Sequence, residues 1–311
     1  MAIKVRDYTV RQARTKEEKR GLRRLRYRVF VEEEGAAADE EMRALGEEYD
    51  IYDLFADYMI VLHKNKIVGT YRIIDRAAAE KTGGFYTETE FNISKIKHIA
   101  GNIAEMSRAC VDKEYREDAL VMRMLWMGLA EYVLRNKIKV LFGTASWVGK
   151  NPVDSAMAIS DLYYNHLAPP NLRAEVVADK MAGGIDRRLS QMKILPRAFV
   201  DPSKAALQRT PLIKGYLRLG ATFGRGVFID APFNSYDVFV ILQTKKIAAA
   251  YQSRFAGSPD AFAHLGLRPS AFKFFAKLIM SPITLAAGLA RFLLTEEDAD
   301  DAEAVEDNFN D

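Results

Sequence analysis

Alternating hydrophobic and polar positions over residues 8–13 predict a short strand. Thr15 and Glu18 then stand at the spacing of a capping box, which opens a predicted helix through about Glu33. Leu22, Leu25 and Val29 mark its buried stripe. Arg26 follows Leu22 by four residues and falls at the stripe's margin, so it is the arginine expected to point inward, while Arg24 and Arg28 project away. Residues 59–62 and 66–75, separated by His63, Lys64 and Asn65, read as a hairpin of strands rich in β-branched residues. A further strand is predicted at 103–111, a helix apolar nearly all round at 118–134, and a strand at 139–144.

Two late strands, 221–230 and 237–242, follow a short helix at 211–220 that stops at a glycine. This order predicts an α/β (α+β) fold with a mixed, mostly antiparallel sheet of about seven strands and helices on its faces. Residues 1–245 form the expected core. They include an insertion at about 146–208, too long for a plain connection and carrying helical patterns of its own. Residues 246–295 read as a C-terminal helical extension. The longest uncharged run there, 278–290, holds 13 residues, short of the ~20 that a spanning helix needs. Packing on the core and peripheral docking on an anionic membrane both remain open for it.

Composition changes the picture in two places. The single cysteine, Cys110, forbids an internal disulfide and fits a reducing cytoplasm, and no secretory signal is read at the N-terminus. The formal charge of +3 hides an asymmetry, because residues 296–311 carry nine acids and no base and read as a disordered tail. The preceding 295 residues therefore hold 45 basic and 33 acidic side chains, a net +12 that suits an acidic protein partner, an anionic membrane or nucleic acid. The basic residues lack the interleaved aromatics of a single-strand platform and no groove-reading motif is visible, so nucleic acid is not the expected partner.

The four histidines are isolated, so no metal site is expected, and neither a nucleophile elbow nor a phosphate loop appears. What stands out is a set of polar residues inside core-like segments: Arg26 and Phe30, then Glu48, Asp50 and Asp53, then Arg72, then Glu105, Ser107 and Arg108. Buried charges are costly unless paired, so these residues mark either structural ion pairs or a site.

The segments LRYRVFVEE, EYDIYD, VGTYRIID and EMSRACVDKEYR follow the order seen in acyl-homoserine-lactone synthases and their relatives. LFGTASW and PLIKGYLRLGATFGRGVFIDAPFNSYDVFVIL more closely resemble the ornithine-lipid branch of that superfamily, the L-ornithine N-alpha-acyltransferases, also called hemolysin-like. The resemblance covers roughly residues 5–243. It implies a fold like that of Gcn5-related acetyltransferases, with donor and acceptor meeting where two central strands splay apart. It also implies a 3-hydroxyacyl thioester on acyl carrier protein as donor, L-ornithine as acceptor and lyso-ornithine lipid as product.

No cofactor is then expected beyond the phosphopantetheine that the carrier protein delivers. Acetyltransferases of this class grip coenzyme A with a glycine-rich turn, whereas here that place reads Arg116-Glu-Asp-Ala-Leu-Val. The added Glu117 and Asp118 would repel a pyrophosphate, which favours a carrier-bound donor.

Amide formation needs a neutral amine and a stabilised oxyanion. Glu105 is the candidate base, with Ser107 on its face of the strand and Met106 and Arg108 opposite unless a bulge intervenes. Backbone N–H groups of Ala109 or Cys110 are the candidate oxyanion donors. Asp50 and Asp53 are candidates for the acceptor's amines, and Arg26, Arg72 or Arg108 for its carboxylate. Trp147 and Phe30 are candidate walls for the acyl chain. Alternatives are an acyltransferase acting on glycine, glutamine or lysine, a lactone-forming synthase using S-adenosylmethionine, and a non-catalytic basic binding module. The expected location is cytoplasmic, with peripheral contact at the inner membrane face open.

Overall fold

A computed structural model of the chain describes residues 2–177, 189 and 191–245. The extension and acidic tail expected from residue 246 onward lie outside the described residues. The chain opens with β1 (Ala2–Val5) and β2 (Tyr8–Gln12), followed by α1 (Lys16–Arg26). Thr15 and Glu18 form the reciprocal capping box at its start. The helix does not run unchanged to Glu33. Tyr27–Glu33 continues it as a π-helical stretch, with the Glu34 N–H donating to the Val29 carbonyl at 3.1 Å.

After α2 (Glu40–Leu45) come β3 (Asp57–His63) and β4 (Lys66–Asp75). His63 pairs with Lys66, and Lys64 and Asn65 both take positive φ, so the hairpin closes through a two-residue loop with the twist of a type I′ turn. Next are α3 (Arg76–Thr82), β5 (Phe91–Asn92), α4 (Ser94–Lys97), β6 (Asn102–Val111), α5 (Ala119–Arg135) and β7 (Ile138–Val148). The expected insertion contributes α6 (Ala156–His166), β8 (Glu175–Val176) and α7 (Pro202–Gln208). The core ends with α8 (Pro211–Arg218), β9 (Thr222–Asp230) and β10 (Ser235–Gln243).

The sheet order is β1-β2-β3-β4-β6-β7-β10-β9-β8-β5, antiparallel except at β6/β7 and β8/β9. Among the described residues ten strands thus replace the expected seven or so. The additions are β1, of four residues, and β5 and β8, of two each. Segments this short carry too few side chains for an alternating pattern to register. They pair because neighbouring strands present open edges, which is a tertiary cause.

Side-chain alternation sends the sheet's two faces into separate cores. One gathers Ala104, Met106, Leu141, Val238 and Val240 with α5, α6 and α8. The other gathers Ile103, Phe142, Phe239 and Ile241 with Leu22, Ala78, Phe85 and Phe91. Among the described residues no helix is long and apolar enough to cross a membrane.

β6 and β7 are the central parallel pair, and their register runs only from Asn102↔Ile138 to Met106↔Gly143. A Cβ at Gly143 would lie 2.2 Å from the Met106 carbonyl oxygen, so the absence of a side chain permits this last close approach. Beyond it β6 stays with β4 while β7 follows β10, and the two central strands part.

Candidate active site

Where the strands part, β6 bulges. Arg72 pairs with Ser107 but Thr70 pairs with Cys110, so an extra residue enters β6, and Arg108 takes a φ of 54°. The bulge overrides strict alternation and turns Arg108 to the face that carries Glu105 and Ser107. There its Nε donates to Glu48 Oε1 at 3.2 Å and its Nη2 to Asp50 Oδ2 at 3.2 Å.

Asp50 and Asp53 are positioned by local chemistry. Asp50 caps the 3-10 turn Ile51–Leu54, accepting from the Tyr52 N–H at 2.9 Å, and Asp53 accepts from the Asp50 N–H at 2.9 Å. Fully buried Arg26 meets them from α1, donating to Glu48 and, in a two-pronged contact at 2.8 and 3.1 Å, to Asp53. Arg72 donates from β4 to Asp50 at 2.6 Å and to Ser107 Oγ at 3.0 Å. Tyr58 donates its hydroxyl to Asp53.

The arginines decide how these acids ionise. Burial raises the Glu48 and Asp53 carboxyls, but Arg26 with Arg108 at Glu48, and Arg26 with Arg72 at Asp53, outweigh it and hold both below the ordinary range. Aromatic rings enclose the cations. The Arg72 guanidinium lies 5.6 Å from both the Tyr52 and Tyr86 centroids, and Arg108 lies 4.5 Å from Tyr86 and 4.1 Å from Phe233. Phe30 meets Phe233 edge-on and packs beside Cys110, whose thiol burial pushes up.

Glu105 sits beside this network and differs from it. Its Oε2 accepts from the Thr87 N–H at 3.1 Å, and no hydrogen bond reaches its Oε1. Burial pushes its carboxyl up to about 7, although Arg72, the Thr87 amide and Arg108 pull the other way. One nitrogen of Arg72, Nη2, is likewise buried without a partner.

Arg26, Phe30, Glu48, Asp50, Asp53, Arg72, Glu105, Ser107 and Arg108 therefore share one region, and Ala109 and Cys110 continue β6 along the edge from which β7 has departed. Trp147 does not join them. It stacks on Tyr236, donates Nε1–H to the Gln208 carbonyl at 2.8 Å and belongs to the core on the opposite face of the sheet. A groove of about 780 Å³ between α1 and the β3–β4 hairpin shares no side chain with the network.

Sequence reasoning missed the segment that covers this face. Tyr86, Thr87 and Glu90 lie between Phe85 and Phe91, which anchor it in the core below. Glu90 approaches Asp230 of β9 and Asp237 of β10, and one carboxylate oxygen from each of the three lies within 4.8 Å of the others. The available signal was Asp237 itself, a charge beside the apolar run of the strand SYDVFVILQ, whose first eight positions are buried.

The mixed sheet with two parting central strands is that of a Gcn5-related acyltransferase, and residues 25–127 match the family described as Acetyltransferase (GNAT) domain. The similarity sharpens over the longer span. The chain is 34% identical over 263 residues to the L-ornithine N(alpha)-acyltransferase of Rhodobacter capsulatus, covering 81% of this chain and 96% of that one. It is 35% identical over 263 residues to the protein of that name from Rhizobium meliloti, covering 81% and 86%. Among solved structures, FeeM, an N-acyl amino acid synthase from uncultured soil microbes, aligns with a TM-score of 0.42 at 14% identity, over 78% of this chain and 94% of that one. The chain belongs to the L-ornithine N(alpha)-acyltransferase family.

Proposed function

We propose that this enzyme transfers a 3-hydroxyacyl group from acyl carrier protein to the α-amine of L-ornithine, releasing the carrier thiol and lyso-ornithine lipid. The reading rests on one observation: a buried acceptor, Glu105 Oε1, and a buried donor, Arg72 Nη2, stand unpartnered in one region at the strand gap. An amino acid supplies the complement of both, an amine for the first and a carboxylate for the second.

Glu105 receives a proton from the α-ammonium, and the neutral nitrogen attacks the thioester carbonyl. The C–N bond forms, the C–S bond breaks, and the departing thiolate takes up a proton. N–H groups along the free edge of β6 at Ala109 and Cys110 are the oxyanion donors in this reading. Asp50 and Asp53 hold Arg72 and Arg108 in place for the substrate carboxylate.

The carrier-bound donor is supported by the start of α5. Asp118 caps that terminus, accepting from the Leu120 N–H at 2.9 Å, and the Tyr8 hydroxyl donates to the same carboxylate. A fixed anion there opposes a pyrophosphate. The net charge of +12 over residues 1–295 suits an acidic carrier.

The test is incubation of the purified full chain with 3-hydroxyacyl carrier protein and a panel of ornithine, lysine, glutamine and glycine, with products read by mass. N-acylornithine is the expected product. Activity limited to acyl-coenzyme A overturns the donor, and exclusive acylation of another amino acid overturns the acceptor.

A further inference from the structure

Glu90, Asp230 and Asp237 are not used by the chemistry above, yet they place three buried or half-buried acids together beside it with no arginine or lysine in an ion pair with them among the described residues. Glu90 is 1% exposed and no hydroxyl or N–H donor reaches its carboxylate oxygens; its hydrogen-bonding neighbour is the Asp237 carboxyl, with which it can share a proton. Asp237 accepts from the Ser235 hydroxyl at 3.1 Å, and Asp230 accepts from the Phe233 N–H at 3.1 Å and the Tyr86 hydroxyl at 3.4 Å. Three carboxylates at such mutual distance resist joint ionisation: burial and then the neighbouring acids push Glu90 up, and burial and then Asp230 push Asp237 up to about 6. A cation placed among them removes that cost.

Position ties this pocket to the site. Tyr86, Thr87 and Glu90 lie on one short segment: Tyr86 stands against Arg72 and Arg108, Thr87 holds Glu105, and the Glu90 N–H donates to the Thr87 carbonyl at 3.1 Å. Glu105 also adds to the upward push on Glu90, so the two carboxylates lie within electrostatic reach. Arginines for a carboxylate, a base for an α-amine and a group of acids thus share one face of the sheet.

We infer that Glu90, Asp230 and Asp237 form the subsite for the side-chain ammonium of a diamino acid acceptor, and so set its preference over acceptors that lack a terminal amine. The inference rests on the acceptor reading above. Asp53 is less suited to that task, because Arg26, Arg72 and Tyr58 already engage its oxygens.

The experiment compares kcat/KM for ornithine and for norvaline, which differs by lacking the terminal amine, in the wild-type chain and in Glu90→Gln and Asp237→Asn. A subsite built for a buried polar group discriminates strongly against the analogue without it, so wild type is expected to favour ornithine by about 100-fold or more. Asp237→Asn is expected to cut that ratio at least ~10-fold, chiefly through the KM for ornithine. Should a variant fail to fold, Asp230→Asn is read in the same way.

Equal use of ornithine and norvaline by wild type overturns the subsite. A ratio unchanged within twofold in the folded variants also overturns it while leaving the acceptor reading intact. Wild type acylating norvaline but no diamino acid overturns both. Stoichiometric magnesium, calcium or manganese in the purified protein, lost in Asp237→Asn, assigns the three acids to a metal and overturns the inference.

Discussion

Two buried charge clusters lie side by side on one face of the sheet, one mixing arginines with acids and the other holding acids alone, and they resolve the cost of burial in opposite ways. In the first, Arg26, Arg72 and Arg108 reach Glu48, Asp50 and Asp53, and the carboxyls of Glu48 and Asp53 are held low. In the second, Glu90, Glu105 and Asp237 lack such partners and their carboxyls are pushed up. Glu48 and Asp53 are as deeply buried as Glu90, Glu105 and Asp237, so pairing makes the difference. The paired cluster has the construction of a scaffold. The unpaired one retains capacity for a proton or a cation, which catalysis and binding require.

The largest effect that can test this contrast is on stability. Arg26→Met removes the fully buried cation shared by Glu48 and Asp53 and is expected to cost about 3–5 kcal/mol in urea unfolding. A loss under about 1 kcal/mol would mean the paired cluster is not structural.

Glu105→Gln is expected to act on the other side of the comparison. Its kcat/KM should fall about 100-fold or more, equivalent to ~2.7 kcal/mol of barrier. Stability should move the opposite way. The folded carboxyl titrates near 7 against an ordinary 4.5, so its contribution is fully present below the ordinary value and is lost as pH rises through 7. At pH 8 the variant is therefore expected to melt no lower than wild type, and to lose that relative advantage by pH 5. Normal turnover in the variant removes Glu105 as the base.

A smaller effect is read from wild type alone. With a base near 7, kcat/KM should decline as pH falls through that value, and the decline should be absent from the residual activity of Glu105→Gln. A wild-type profile flat from about pH 6 to 8 separates the carboxylate from the rate.

The smallest effect sharpens the role of burial. Lys66 pairs with Asp112 and Glu114 but is 44% exposed, so Lys66→Ala is expected to change stability by no more than about 0.5 kcal/mol. A cost near that of Arg26→Met would show that pairing matters regardless of burial.

The sequence by itself determined much of this protein. Seven strands were legible because each is long enough for alternation to show, and the capping box of Thr15 and Glu18 announced itself by spacing. Arg26, Arg72 and Glu105 were visible as charges where the surrounding pattern demanded apolar residues. Tertiary structure alone decided the rest. β5 and β8 exist only because open sheet edges accept them, and Arg108 faces its partners because the bulge in β6 reverses the local alternation. Glu90 is remote along the chain from Asp230 and Asp237, and no local pattern states that it will join the two acids of that hairpin. Periodicity records which way a side chain points, whereas the partners that decide its ionisation are brought by the fold.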